Sequence, residues 1–225
     1  MKRLFVVVVL LAVIAGCGGG GGGGTEPIPT SNVTRQLQPG DSLTYSVTGN
    51  IDGEPVTGTI VCSTSKGDWT PTYGTRALKL TQDLALKTES VGNISVVATS
   101  YYEQDAAGVL YYVGMISTEG ESWFTESTAA PVVCPSPIAV GYSTSYTATT
   151  TKGTSQYALS VMALESVGGR KAYRIHITTI GPDGTSAEDD WYVPDMGYPV
   201  KFVVDMQEET RNMQFTATLK SFNLK

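Results

Sequence analysis

From residue 34 onward, apolar and polar side chains alternate with a period of two almost without interruption. Leu43/Tyr45/Val47, Ile94/Val96/Ala98, Tyr173/Ile175/Ile177 and Met213/Phe215/Ala217/Leu219 each interleave with polar residues, the spacing of strands that bury one face and wet the other. Turn chemistry recurs between the runs at Pro39-Gly40-Asp41, Asp52-Gly53, Gly92-Asn93, Gly168-Gly169 and Pro182-Asp183-Gly184, which predicts antiparallel hairpins. Residues 77–89 have some helical character, but Leu78, Leu80, Leu84 and Leu86 share one strand parity, so this stretch reads as strand too. The expected fold class is all-β: a curved antiparallel sheet, arranged as an open half-barrel or a β-sandwich-like structure.

A weak internal repeat runs through this pattern. Leu37, Gly40, Ser42, Tyr45 and Thr48 align with Ile138, Gly141, Ser143, Tyr146 and Thr149. Further on, residues 76–80 echo 171–175, and Tyr101-Tyr102 with Asp105 and Gly108 echoes Trp191-Tyr192 with Asp195 and Gly197. The offset shrinks from about 101 to about 90 along the chain, as shorter loops in a second copy produce. Two similar halves follow, residues 35–135 and 136–225, each a meander of about five strands and together one domain. Chance similarity among Thr- and Tyr-rich strands is the competing explanation.

Composition narrows the function classes. The 225 residues suffice for a core of useful size. With 15 basic against 21 acidic residues, a formal charge of −6 and no basic cluster past the start, the chain lacks the electrostatic footprint of a nucleic-acid binder. It also lacks a polybasic patch for a membrane surface.

The amino terminus carries the most specific signal. Lys2 and Arg3 precede an apolar run over residues 4–15, too short for a spanning helix of about 20 residues and built like a secretory signal. Its end, Ile14-Ala15-Gly16-Cys17, resembles the lipobox of bacterial lipoproteins, with Ile where Leu is usual. The resemblance implies a signal peptide over 1–16, lipid on Cys17 and a membrane partner through that anchor. Two or three acyl chains hold a protein stably where one does not. Gly18 in place of a retention Asp implies outer-membrane placement in a two-membrane envelope. The plainer alternative is a secretory signal that leaves Cys17 as a free thiol. Residues 18–24 are all glycine, followed by Thr25-Glu26-Pro27-Ile28-Pro29, so residues 17–34 form a flexible tether that cannot offset its chain entropy by burial.

Loss of Lys2 and Arg3 with the signal leaves 13 of the 15 basic residues against 21 acidic ones. Cys62 and Cys134 are then the remaining cysteines of an exported chain, open to a single disulfide. Cys62 shares strand parity with Val56, Gly58 and Ile60, which equally suits a small buried hydrophobe. No Cys/His spacing suggests a metal, and no cofactor is expected.

Residues 191–202, a strand, a Pro/Gly turn and a second strand, resemble a hairpin of the LolA/LolB-like exported carrier proteins. The likeness implies a curved antiparallel half-barrel and an apolar ligand, although the helices that plug those carriers have no counterpart in this sequence.

Candidate chemistry is sparse. His176, the one histidine, alternates with Ile175 and Ile177 and falls on the polar face of its strand without a Gly-x-Ser-x-Gly partner. Glu188-Asp189-Asp190 reads as solvated loop charge rather than a calcium loop. Among 12 Tyr and 3 Trp, the densest cluster is Tyr101, Tyr102, Tyr111, Tyr112, Trp123 and Phe124. Adjacent Tyr pairs put one ring on each face of a sheet, making Tyr101, Tyr102, Tyr111, Tyr112 and Trp123 the candidate ligand-binding residues, with core packing and cross-strand pairing as the competing explanation. The expectation is therefore a non-enzymatic, membrane-anchored β module that binds an apolar ligand or an envelope partner. A surface-interaction lipoprotein without a cavity is the alternative, and an envelope hydrolase working through clustered carboxylates is a third reading.

Overall fold

The computed structural model describes residues 30–32, 35–90, 92–118, 122–124, 132–150, 153–182, 184–208 and 211–225. The expected signal peptide, Cys17 and the glycine run lie outside the described residues. Every regular element among those described is a strand. In chain order they are β1 (Thr30–Ser31), β2 (Ser42–Ile51), β3 (Glu54–Lys66), β4 (Arg76–Thr88), β5 (Gly92–Gln104), β6 (Leu110–Ser117), β7 (Ser122–Phe124), β8 (Val132–Cys134), β9 (Ile138–Ala139), β10 (Ser143–Thr150), β11 (Gly153–Val167), β12 (Arg170–Gly181), β13 (Gly184–Val193), β14 (Tyr198–Glu208) and β15 (Arg211–Asn223).

One antiparallel sheet runs β10-β11-β12-β13-β14-β15-β2-β3-β4-β5-β6-β7, with β8 added beside β6 and the short pair β1-β9 separate. The two halves are each an uninterrupted meander of six strands, one more than the alternation suggested, and they join where β15 pairs with β2. The turns obey their residues. Asp52 and Gly53 link β2 to β3 at φ 52° and 83°, and Gly168 and Gly169 link β11 to β12 at 57° and 77°, the positive angles that a two-residue hairpin with the right twist demands. The leucine-rich segment is strand β4, with Leu78, Leu80, Leu84 and Leu86 all buried.

Twist and curl bring the ends of this sheet together, with no strand pairing between them among the described residues. Its inward side chains form one apolar cluster that takes residues from both meanders, from Leu43, Tyr45 and Val47 through Leu84, Val96 and Tyr112 to Leu159, Ile175, Phe202 and Phe215. Tyr112 of β6 senses Tyr146 of β10 and Tyr157 of β11 across that interior. The architecture is thus the half-barrel of the two forms expected, a single rolled sheet rather than two facing ones.

The internal repeat is visible in the hydrogen bonds. Gly40 N–H donates to Thr64 C=O while Thr64 N–H donates to Asp41 C=O, and Asp41 N–H donates back to Gln38 C=O. Gly141, Val161, Tyr142 and Ala139 repeat all three bonds, and Gly40 and Gly141 have φ of 94° and 84°. The bulge between Tyr101 and Tyr102 recurs between Trp191 and Tyr192. Lys79 lies over the Tyr101 ring as Arg174 lies over that of Trp191.

Asp41 ties the entry and exit of the sheet together. It is fully buried and accepts from Arg35 through both Nη atoms (2.9 and 2.6 Å), from the backbone N–H of Gln38 and Lys225 (2.9 Å each) and from the Tyr198 hydroxyl (3.1 Å). Close strand approach imposes a second requirement. A Cβ on Gly49 would stand 2.2 Å from the Gln214 carbonyl oxygen and 2.6 Å from Phe215 Cα, both backbone atoms of the neighbouring strand. Gly49→Ala is therefore expected to cost about 1–3 kcal/mol through forced strand separation, read as a lower urea midpoint, whereas alanine at Gly53 meets no neighbour and is strained through its φ of 83° alone.

Candidate functional site

Strand parity divides the tyrosine pairs between the two faces. Tyr102 and Tyr112 point inward, 1% and 2% exposed, with ring centroids 5.3 Å apart. Tyr101 and Tyr111 face outward and are half-buried. The expectation of one ring per face holds, and the two sets of rings have different surroundings. Trp123 is placed by its backbone opposite Met115; its side chain, with that of Phe124, lies outside the described residues.

A loop covers the outward tyrosines. Residues 67–75 fold back over β5 so that Trp69 packs on Tyr101 at 5.6 Å and Tyr73 stacks on Tyr111 at 6.2 Å. The residue that fixes this loop is Glu103, 2% exposed and two positions beyond Tyr101 on the same face. Its carboxylate accepts from Trp69 Nε1 (3.0 Å) and from the backbone N–H groups of Thr72, Tyr73 and Gly74 (2.8, 2.6 and 3.1 Å). Successive N–H groups converging on one oxygen form the concavity that suits an anion. Sequence reasoning passed over Glu103 because its partners lie about 30 residues away. Its one signal was a charge on the same parity as an aromatic stripe.

The acidic run is not a loop. Glu188, Asp189 and Asp190 occupy the middle of β13, and alternation sends Asp189 outward and the other two into the core. Asp189 binds Arg174 through both oxygens at 3.0 Å and His176 Nδ1 at 3.1 Å. Burial pushes its carboxyl up, but bonds from Arg174 and His176 outweigh this and hold it below the usual range. His176 stands on the polar face, as its alternation predicts, and is engaged in this ion cluster.

Glu188 and Asp190 are 8% and 0% exposed. In register they stand between Ile177 and Ile175 on β12 and Val204 and Phe202 on β14. Glu188 Oε1 and both Asp190 oxygens have no partner in hydrogen-bond geometry. The two carboxyls are nonetheless near enough to influence each other. Burial raises both well above the carboxylate range, Asp190 to about 8 despite an opposing contribution from the Glu188 carboxyl, and Asp190's charge raises Glu188 further. In a low-dielectric interior such a pair is held neutral by protons.

Cys62 and Cys134 are buried and free, so the bridge considered above is not formed. Cys62 takes its place in the main apolar cluster, as its parity allowed. Burial pushes both thiols up to about 12, which leaves them without thiolate reactivity. Among the described residues no group of three or more His, Cys, Asp or Glu could hold a metal ion.

No family model matches the chain, and no curated protein does. Among solved structures, the chain is similar to a beta-barrel-like protein of the domain of unknown function DUF1849 from Brucella abortus, at 10% sequence identity and a TM-score of 0.44, over 84% of this chain and 99% of that one.

Proposed function

We propose that the protein is a lipid-anchored module of a bacterial envelope, tethered through Cys17, that performs no catalysis and engages an envelope partner over the outer face of its sheet. The observation that carries this reading over a carrier is the filled interior. A lumen wide enough for an acyl chain leaves its lining exposed to that lumen, whereas Tyr45, Ile175, Phe202 and Ala217 are 0% exposed and Tyr102 and Tyr112 nearly so. Close packing at these positions is that of a core rather than of a lumen wall among the described residues. The outer face is the surface that remains, with the Trp69, Tyr73, Tyr101 and Tyr111 strip and exposed Val61, Ile116, Met162, Ile180 and Phe222.

Metabolic labelling with a palmitate analogue is expected to tag the wild type and to leave Cys17→Ser unlabelled. Equal labelling of both removes the anchor from this reading. Native mass spectra of gently purified Cys17→Ser protein, followed by solvent extraction, are expected to show the bare chain mass. A stoichiometric co-purifying lipid overturns the interaction reading in favour of a carrier.

A further inference from the structure

The interior acid pair is not required by the fold. Under the internal repeat, which matches Tyr101-Tyr102 to Trp191-Tyr192, Glu188 and Asp190 correspond to Ala98 and Ser100 of β5. Those two are themselves fully buried and occupy the same inward positions beside a strand bulge at the same place. One meander therefore closes its core with a methyl and a hydroxyl where the other installs two carboxyls. Burying them as ions is strongly unfavourable unless a counter-charge or a proton is supplied.

No counter-charge faces them among the described residues. The flanking side chains of β12 and β14 are Ile175, Ile177, Phe202 and Val204. From elsewhere in the rolled sheet, Tyr45 of β2 senses Asp190, and Tyr102 of β5 senses both carboxyls. Cys62 of β3 and Tyr198 of β14 adjoin those tyrosines. On β13 itself the nearest charge is Asp189, a like charge on the opposite face. Every titratable neighbour is neutral or negative near pH 7, so a proton is the available means of neutralising the pair.

We propose that Glu188 and Asp190 form a proton-dependent latch, holding the rolled sheet shut while the pair carries protons and loosening it when both carboxyls ionise. Each proton leaves to solvent, and the two anions then repel each other inside an apolar wall. The sign follows from linkage. A carboxyl that keeps its proton in the folded state but loses it in the unfolded chain contributes stability that is complete below the ordinary carboxylate range and is lost as pH rises. The groups with the opposite sense, Asp41 and Asp189, are held low and act below that range. Cys62 and Cys134 act only toward pH 12. The pair therefore acts above the range in which Asp41 and Asp189 act and below that of the two thiols.

Urea unfolding of the full chain across pH 5–9 tests this. In the wild type the unfolding equilibrium constant is expected to rise about tenfold per pH unit for each proton that the folded state alone retains. Asp190→Asn and Glu188→Gln are each expected to reduce that slope, and the double substitution E188A/D190S, which copies Ala98 and Ser100, to abolish it. Should the double variant not fold, Asp190→Asn and Glu188→Gln decide by their slopes. In parallel, peptide-mapped alkylation of Cys62 at pH 8.5 is expected to be several times faster in the wild type than in Asp190→Asn. A flat wild-type profile overturns the latch, as does a slope or a Cys62 rate unchanged by these substitutions. So does recovery of wild-type stability at pH 8.5 on adding calcium chloride alone, which identifies the pair as a cation site instead.

Discussion

Asp41→Ala is expected to destabilise the folded protein by about 3–5 kcal/mol, the loss measured when one member of a buried ion pair is removed. Urea denaturation gives the value directly. The size follows from how many elements converge on one carboxylate. Arg35 grips it bidentately, the backbone N–H groups of Gln38 and Lys225 donate to it, and Tyr198 links it to Thr64 through a 2.7 Å hydroxyl contact. Arg35 also donates to the Met196 and Lys225 carbonyls, so losing its partner leaves a cation at the junction of the chain's entry, its exit and the β13–β14 turn. Burial pushes Asp41 up, but bonds from Arg35, Lys225 and Gln38 outweigh it and hold the carboxyl below the usual range. Its contribution is therefore present above the unfolded carboxylate range and lost as pH falls through the folded value. With the Glu188–Asp190 pair losing stability in the other direction, the wild type is expected to be most stable in mild acid. Asp41→Ala is expected to shrink the acid-side decline, leaving the share of Asp189, and to leave the alkaline one.

Glu103→Ala is expected to cost about 2–4 kcal/mol and to release the loop over residues 67–75. A hydrogen bond to a charged group is worth about 1.5–3 kcal/mol where both partners are desolvated, and less where the donors can reach water. Four donors meet the Glu103 carboxylate, and after truncation the Thr72, Tyr73 and Gly74 amides turn to solvent while Trp69 loses its indole contact. Glu103→Gln keeps the shape but halves the acceptors and loses the charge, so an intermediate loss is expected. Trp69 fluorescence shifting to the red in Glu103→Ala, with strand content by circular dichroism preserved, separates loop release from global unfolding. An unshifted spectrum places Trp69 against Tyr101 by packing alone.

Much of the framework was legible along the chain. Alternation at Leu43/Tyr45/Val47 or Tyr173/Ile175/Ile177 reports a strand because the pleat has a fixed period of two and one face is paid for by burial. Asp52-Gly53 and Gly168-Gly169 report hairpins because few residues tolerate positive φ. The paired Gly40/Gly141 and Tyr45/Tyr146 signatures correspond to matching entry turns, down to three backbone bonds. The reading failed at Glu188-Asp189-Asp190. Three consecutive acids count as solvent-facing under any hydropathy pattern, yet alternation on β13 sends two of them inward, and a proton makes their burial tolerable. It failed similarly at Glu103, whose carboxylate is held by a loop about 30 residues upstream.

What the sequence determined by itself is the strand grammar and the turns, because each is set by residues within a few positions of one another. Only the tertiary structure decided that the sheet rolls into one filled core rather than a sandwich, that Cys62 and Cys134 stay apart as free thiols, and that Tyr102 and Tyr112 are core while Tyr101 and Tyr111 are surface. Those outcomes depend on which distant strands meet across the interior, and so on the summed twist of a dozen strands and their bulges. Periodicity states which face a side chain takes, but what that face meets is fixed by closure of the whole sheet.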